Sequence, residues 1–432
     1  MDTQVLDRPI PMVVPNAEGV ILPSAKDYID FRGKYPRLAG GATGAPVAAA
    51  IPFIAAAHEH TETFPKITRK YGAAGTNGAS ETVEFNVPSY GYIRAIWLDV
   101  KMTKGKAASG ELLTANKDFP FNALENITLL DTNGAPIYGP LSGFNCFLSN
   151  LYGGYVYQQD VRQMATFAEQ TVAGGGAFRF QVRIPIEISH HDGTGCIGNQ
   201  NASAPYRIRL TLAALTSMFK KEPEESEKME LSIEPILEAW SLPNAVDALG
   251  RPQAQLPPNY GTVQYWSERN VSNLTQGNQQ IQVLRVGNLI RNLIFIGRET
   301  SPTGLRSDEV APEFPVVNWD ARQLHNETQT YRQNRGYEPL ESIPTNGRPA
   351  GVYAYTFDRS NQDRAGDDKP WLWLPTVEAT RLEWAGSLVK AGTVQILVND
   401  IAPAEVNPTQ RYAVPNATGF HPETGVRNPN QP

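Results

Sequence analysis

The sequence predicts an all-β protein in which one domain is present twice, and three observations carry that reading. Apolar residues alternate with polar ones over short runs divided by Gly, Pro and Asn, the pattern of half-buried antiparallel strands. The chain holds 36 Gly and 34 Pro among 432 residues while charged residues make up only 19%, a balance that favours turns over long helices. Several features also recur in one order about 200 residues apart, in a chain too long for a single core.

Residues 1–60 read as an arm. A short helix is expected over 24–35 (SAKDYIDFRGKY), with Ser24 as N-cap, Asp27 three residues on, and Tyr28, Phe31 and Tyr35 on one face. The stretch 45–57 (APVAAAIPFIAAA) is apolar, with Ile51, Phe53 and Ile54 its largest side chains. It is too short to span a bilayer and is broken by Pro52, so it suits buried packing, a membrane surface or a neighbouring subunit. Over 61–243 the alternation is steady: Val83, Phe85 and Val87; then Ile93, Ile96, Leu98 and Val100; then Phe178 through Ile188, where Pro185 implies an edge or a bulge. A helix is expected at 141–152 (LSGFNCFLSNLY). The Pro-rich stretch 244–258 reads as a linker, and strand patterns resume over 259–403. Residues 404–432, rich in Pro and poor in large apolar side chains, read as a tail that cannot hold itself folded.

The repeat is the most informative feature. Gly91-Tyr-Ile-Arg-Ala-Ile-Trp-Leu98 matches Asn288-Leu-Ile-Arg-Asn-Leu-Ile-Phe295, with Arg94 on Arg291. Upstream, 80–87 corresponds to 278–285, each preceded by a polar turn and by another strand pattern, 64–70 and 265–271. Downstream, Phe119-Pro120 recurs as Phe314-Pro315, each followed by a helix-capable stretch, 141–152 and 320–332. A period of this length excludes solenoids and propellers. About eight short strands per copy with long insertions suits a double-sheet jelly roll, because its distant strands are joined by loops that can grow.

No constellation for catalysis emerges. His58-Glu-His60 with Glu62 has the wrong spacing for the metal site of a cupin-like enzyme, and adjacent His190 and His191 on extended chain point to opposite faces. Gly174 to Gly176 lack the Lys-Ser/Thr of a phosphate loop, and 220–228 (KKEPEESEK) reads as a solvated charge run. Cys146 and Cys196 suit buried reduced thiols. Trp371 and Trp373 face one side and suit core or interface packing better than a carbohydrate platform. A net charge of −6 lacks the basic footprint of phosphate-backbone binding. The N-terminus has no basic region followed by an apolar core, so no secretory leader is expected. No catalytic residue, metal or cofactor is therefore assigned.

The duplicated β domain, the arm with a short helix and the lack of a catalytic set resemble the double jelly-roll major capsid proteins of tailless, membrane-containing icosahedral bacteriophages, tectivirus-like and related in architecture to the adenovirus hexon. The resemblance covers 61–403. It implies an all-β fold of two tandem eight-stranded jelly rolls with short helices in insertions. It implies a structural protein whose homotrimers form pseudo-hexagonal capsomers of an icosahedral shell, located in the virion and assembled in the host cytoplasm. The partners it implies are the chain itself, neighbouring capsomers, and minor capsid or penton proteins, with no direct sequence-specific nucleic-acid binding. The arm would lie on the inner side near a membrane, where Tyr28, Phe31, Tyr35, Ile51, Phe53 and Ile54 would serve assembly. The competing expectation is a secreted or surface tandem β-sandwich that binds or depolymerises carbohydrate, marked by a carboxylate cluster in a folded cleft.

Overall fold

The computed structural model of the chain describes residues 53, 59–72, 77–103, 115–155, 165–170, 177–188, 193–220, 223, 226, 229–246, 254–257, 260–300, 304–320, 322–335, 349–357, 373–376, 379 and 381–402. The first half contains β1 (Glu59–Thr63), β2 (Ile67–Lys70), β3 (Glu81–Asn86), β4 (Tyr92–Met102), β5 (Leu124–Leu130), β6 (Pro136–Leu141), α1 (Gly143–Tyr152), β7 (Ala168–Gln170), β8 (Ala177–Pro185), β9 (Ile197–Gly198), β10 (Arg207–Leu212), α2 (Leu215–Met218) and β11 (Glu230–Trp240). The second contains β12 (Val263–Leu274), β13 (Gly277–Gln282), β14 (Leu289–Glu299), β15 (Val316–Trp319), β16 (Arg322–Asn326), α3 (Gln329–Arg335), β17 (Val352–Thr356), β18 (Leu374–Pro375), β19 (Leu382–Leu388) and β20 (Gly392–Ala402).

Each half is a jelly roll of two facing antiparallel sheets. In roll 1, β1 and β2 share one place beside β11, followed by β4 and β8; the facing sheet runs β3-β10-β5-β6. Roll 2 repeats the scheme as β12-β20-β14-β17 and β13-β19-β15-β16. β1 and β2 are one strand interrupted at Phe64-Pro65, where Pro65 has no N–H to give and the Phe64 amide still donates to the Pro235 carbonyl at 2.9 Å. Glu59 and His60, at the end of the arm in the sequence, pair with Trp240 and Ala239 as the first residues of β1.

The two rolls share one sheet and one core. Trp266 of β12 lies parallel to Tyr138 of β6, so the β3-β10-β5-β6 sheet continues into β12-β20-β14-β17. β14 is buried at ten of its eleven positions. Leu293 and Phe295 belong to the core of roll 2, where Phe295 stacks on Trp384 at 4.4 Å. Ile294 and Ile296, on the opposite face, belong with Leu397, Val352 and Ala354 to the apolar cluster that holds Phe147, Leu148 and Leu151 of α1. Each such fully buried side chain is worth about 1.5–3 kcal/mol, so the contact between rolls is an extension of the interior.

α1 makes that contact possible. Ser142 is extended and its hydroxyl accepts from the Asn145 amide at 3.2 Å, an N-cap, and all ten helical residues are buried. Its Asn150 is satisfied inside: Nδ2 donates to the Arg183 carbonyl at 2.6 Å, and the Arg183 amide donates to Asn150 Oδ1 at 2.7 Å. Tyr138 and Ser149 hydroxyls bond at 2.7 Å.

The helix-capable stretch at 320–332 is corrected. Trp319 pairs with Arg322 across a tight turn in which Asp320 takes φ 50°, making a β15–β16 hairpin, and the helix begins only at Gln329. Pairing of β15 with β19 outweighs the helix propensity of these residues. In both rolls the helix therefore follows the fourth-to-fifth strand hairpin, and the recurrent Phe-Pro precedes the fourth strand, β5 or β15.

Candidate functional site at the seam and base of the rolls

The repeat's paired arginines occupy one structural position. In β4 against β11 the register passes from Ala95–Glu238 to Ile93–Ala239 and skips Arg94. In β14 against β20 it passes from Ile290–Asp400 to Asn292–Asn399 and skips Arg291. Both are bulge residues, whose side chains are re-aimed by the extra residue. The Arg94 carbonyl accepts from the Ile186 and Glu187 amides (3.1 and 2.7 Å) just past Pro185, and the Arg291 carbonyl accepts from Phe357 at 3.0 Å.

The side chains then diverge. Arg94 Nε donates to Glu187 Oε2 at 2.6 Å, with Glu187 fully buried, and the guanidinium lies 3.9 Å from the Trp240 ring. Arg291 leaves its own roll, donating to the Tyr155 hydroxyl at 3.2 Å and the Gly153 carbonyl at 3.0 Å, both just after α1. Gln264 of β12 reaches the same spot: its Nε2 donates to the Ile186 and Glu187 carbonyls at 3.1 Å each, and its Oε1 accepts from Asn399 Nδ2 at 3.2 Å. Farther along the seam Asp118 accepts from Arg298 Nη2 at 2.7 Å and from Arg306, while Asn145 Nδ2 donates to Glu268 Oε2 at 2.7 Å. Arg306 also covers the Phe144 ring at 3.9 Å. Burial, with Arg298 nearby, lowers the Lys117 pKa. These buried polar ties fix one relative placement of the rolls, because a half-paired network would cost more than an apolar one.

One end of the molecule, the base, collects the chain connections. β1 begins there, β11 ends there at Trp240, β12 begins at Val263, and β20 ends at Ala402 opposite Val263. Gly91 (φ 43°) opens β4 at this end, and a Cβ on it would lie 1.9 Å from the Trp240 carbonyl oxygen, so only glycine fits. Phe53 is fully buried at the base with Tyr92, Cys196 and Trp240, its ring edge-on to Tyr92 at 5.2 Å. Trp373 is buried with Ile188, Leu289 and Ile401, joining roll 1 to roll 2.

Of the residues singled out in the sequence, Tyr28, Phe31, Tyr35, Ile51 and Ile54 lie outside the described residues, as do His58, His190, His191 and Trp371. His60 stacks on Tyr90 at 3.8 Å, with Glu62 3.6 Å away along β1. Among the described residues, no three His, Cys, Asp or Glu side chains come together as a metal site, and no helix is long and apolar enough to cross a membrane. Both cysteines are buried and neither is in a disulfide, and burial pushes the Cys146 thiol up to about 12, which leaves it unreactive. Asp118, Glu187, Gln264 and Asp400 were not singled out by sequence; each is separated by 93 to 188 residues from the arginine or asparagine it meets, and no local spacing records such pairs.

No protein-family model and no curated protein sequence matches the chain. Solved structures do. The crystal structure of the STIV major capsid protein is similar at 12% identity over 80% of this chain and 97% of that one, with a TM-score of 0.54. A chain in the atomic structure of Sulfolobus turreted icosahedral virus matches at 12% over 80% and 91%, TM-score 0.55. PBCV-1 VP54, in a crystal structure fitted into a reconstruction of the virophage Sputnik, matches at 12% over 81% and 97%, TM-score 0.50. Likeness at this identity is likeness of fold, and the chain has the double jelly-roll fold that these viral capsid structures share.

Proposed function

We propose that this chain is a structural major capsid protein that assembles with copies of itself into the shell of a tailless icosahedral virus. The observation that carries the reading is the fusion of two eight-stranded rolls, through one continuous sheet and one core, into a rigid block of the kind seen in the capsid proteins it resembles. A block with two similar but non-identical rolls offers different side faces to its neighbours, and three copies related by a closed rotation present six rolls around one axis. The capsomer is accordingly a homotrimer of pseudo-hexagonal outline, and the protein resides in the virion of a bacteriophage after assembly in the host cytoplasm. It carries no catalytic role.

The units are 61–243 and 259–403, joined by 244–258, with 1–60 and 404–432 as assembly ties to neighbouring capsomers, minor capsid or penton proteins and an internal membrane. Ordering such segments costs about 1–2 kcal/mol per residue of backbone entropy, so they gain by fixing against a partner. Tyr28, Phe31 and Tyr35 provide the docking face of the arm, with Ile51, Phe53 and Ile54 nearer the rolls. Sedimentation at micromolar concentration with negative-stain imaging tests the reading. Trimers of hexagonal outline, or shells, are expected; a persistent monomer that forms neither overturns it.

A further inference from the structure

The base carries an apolar surface that the rolls leave open. Leu242, Leu256 and Tyr260 are 52%, 55% and 49% exposed, all in the segment that joins β11 to β12. That segment is drawn together: Gln255 Nε2 donates to the Pro243 carbonyl at 3.3 Å, and Leu242 and Leu256 are the sequence neighbours of these two residues. The Tyr92 hydroxyl donates to the Gln255 carbonyl at 3.0 Å, and the Tyr92 ring is edge-on to Tyr260 at 6.1 Å. The patch is thus continuous with the buried cluster of Tyr92, Cys196 and Trp240, against which Ala254 also packs.

Phe53 already occupies that cluster with no exposure, and it is the middle of the apolar stretch 45–57. Five residues separate it from Glu59, which pairs with Trp240, so the chain that delivers Phe53 to Trp240 is its own. Such a connection spans at most about 20 Å. The stretch has no charged residue, and the surface beside its anchored phenylalanine is apolar.

We propose that residues 45–57 fold back on the base of their own chain and cover Leu242, Leu256 and Tyr260, with Phe53 as the anchor. The arm is then divided in its work. Its apolar stretch locks the segment between the rolls, and the face of Tyr28, Phe31 and Tyr35 is left for partners. Trp240 links this lock to the seam, since Arg94 lies over its ring while pairing with Glu187. The inference concerns the isolated chain and is independent of shell formation, so either reading can fail alone.

Hydrogen exchange read by mass spectrometry tests it on the full chain, on Phe53→Ala, and on deletions of 1–44 and 1–57. Amides of 242–246 and 254–257 are expected to exchange about tenfold or more faster in Phe53→Ala and in the longer deletion than in the full chain or the shorter deletion, with β4 and β11 unchanged. A synthetic 45–57 peptide added to the longer deletion is expected to restore protection. Phe53→Ala keeps the test readable if that deletion does not fold. Equal exchange in all four proteins overturns the proposal. So does protection that disappears when the full chain is diluted, which assigns the patch to a second copy, or protection that appears only with phosphatidylcholine vesicles, which assigns it to lipid.

Discussion

Arg94 and Arg291 hold the same bulge in the same strand of two rolls and do opposite work. Arg94 turns inward on roll 1, against a fully buried carboxylate and an indole ring. Arg291 reaches out of roll 2 to Tyr155 and Gly153 of roll 1. The surroundings decide which: β8 is followed by Glu187, a buried anion, whereas β17 is followed by Phe357 in the core of roll 2. A duplicated domain thus makes its own partner surface by aiming one copy of a cation across the seam. The same asymmetry shows in the helices, since α1 is buried at all ten positions while α3 leaves Tyr331 more than half exposed.

The comparison breaks most sharply at Glu187. Glu187→Ala leaves Arg94 with 13% of its side chain exposed and without its buried anion, and a loss of about 3–5 kcal/mol in chemical unfolding is expected. A loss under 1 kcal/mol would mean that the Trp240 stack and Glu59, whose Oε1 lies 3.2 Å from Arg94 Nη1, suffice. Next is the buried anion of roll 2. Asp400 accepts from Arg285 Nε at 2.8 Å, and burial raises its pKa despite that arginine. Native protein then keeps this proton where the unfolded chain has lost it, so the group removes stability as pH rises from the ordinary aspartate value through the raised one. Arg285→Met is expected to cost about 3 kcal/mol at neutral pH, the low end for a broken buried pair because Arg285 is 43% exposed, and less near pH 4. A deficit that grows on acidification contradicts this account. Arg291→Met follows, with about 1–3 kcal/mol expected from the lost bonds to Tyr155 and Gly153, and with faster amide exchange at 153–155. Unchanged exchange there would show that the core alone holds the seam.

The fold was legible because burial imposes local patterns. Period-two alternation marks β3 and β8, the stretch 141–152 marks α1, and the offset of 197 between Tyr92 and Leu289 marks β4 and β14, the third strand of each roll. The seam was half legible. The unbroken run from Leu293 to Ile296 in β14 was a signal of burial on both faces, and GFNCFLSNLY without a charge was a signal of a helix buried all round. What covers those faces is a tertiary fact. Asp320 was misread because its left-handed turn lies in a stretch of helix-forming residues, and only pairing with β19 reveals the hairpin.

The smallest effect is expected on the outer face of roll 1, where Glu84 of β3 accepts from Arg207 and Arg209 of β10 at 2.8 and 2.9 Å. The hydrogen bond from Arg209 holds its carboxyl below the usual glutamate range of 4.5. Unlike Asp400, Glu84 loses its proton in the native state first, so its contribution is present above the ordinary glutamate pKa and is lost as pH falls through the lowered one. Water reaches the group freely and salt screens it, so Glu84→Gln is expected to leave the neutral-pH melting temperature within measurement scatter. The two carboxylates should therefore separate by the sign of their pH dependence: melting curves recorded against pH should show Glu84→Gln removing a small acid-side decline and Asp400→Asn removing an acid-side gain. The same sign for both would mean that the burial of Asp400 in roll 2 does not set its ionisation, and the contrast between an exposed and a buried carboxylate would fail.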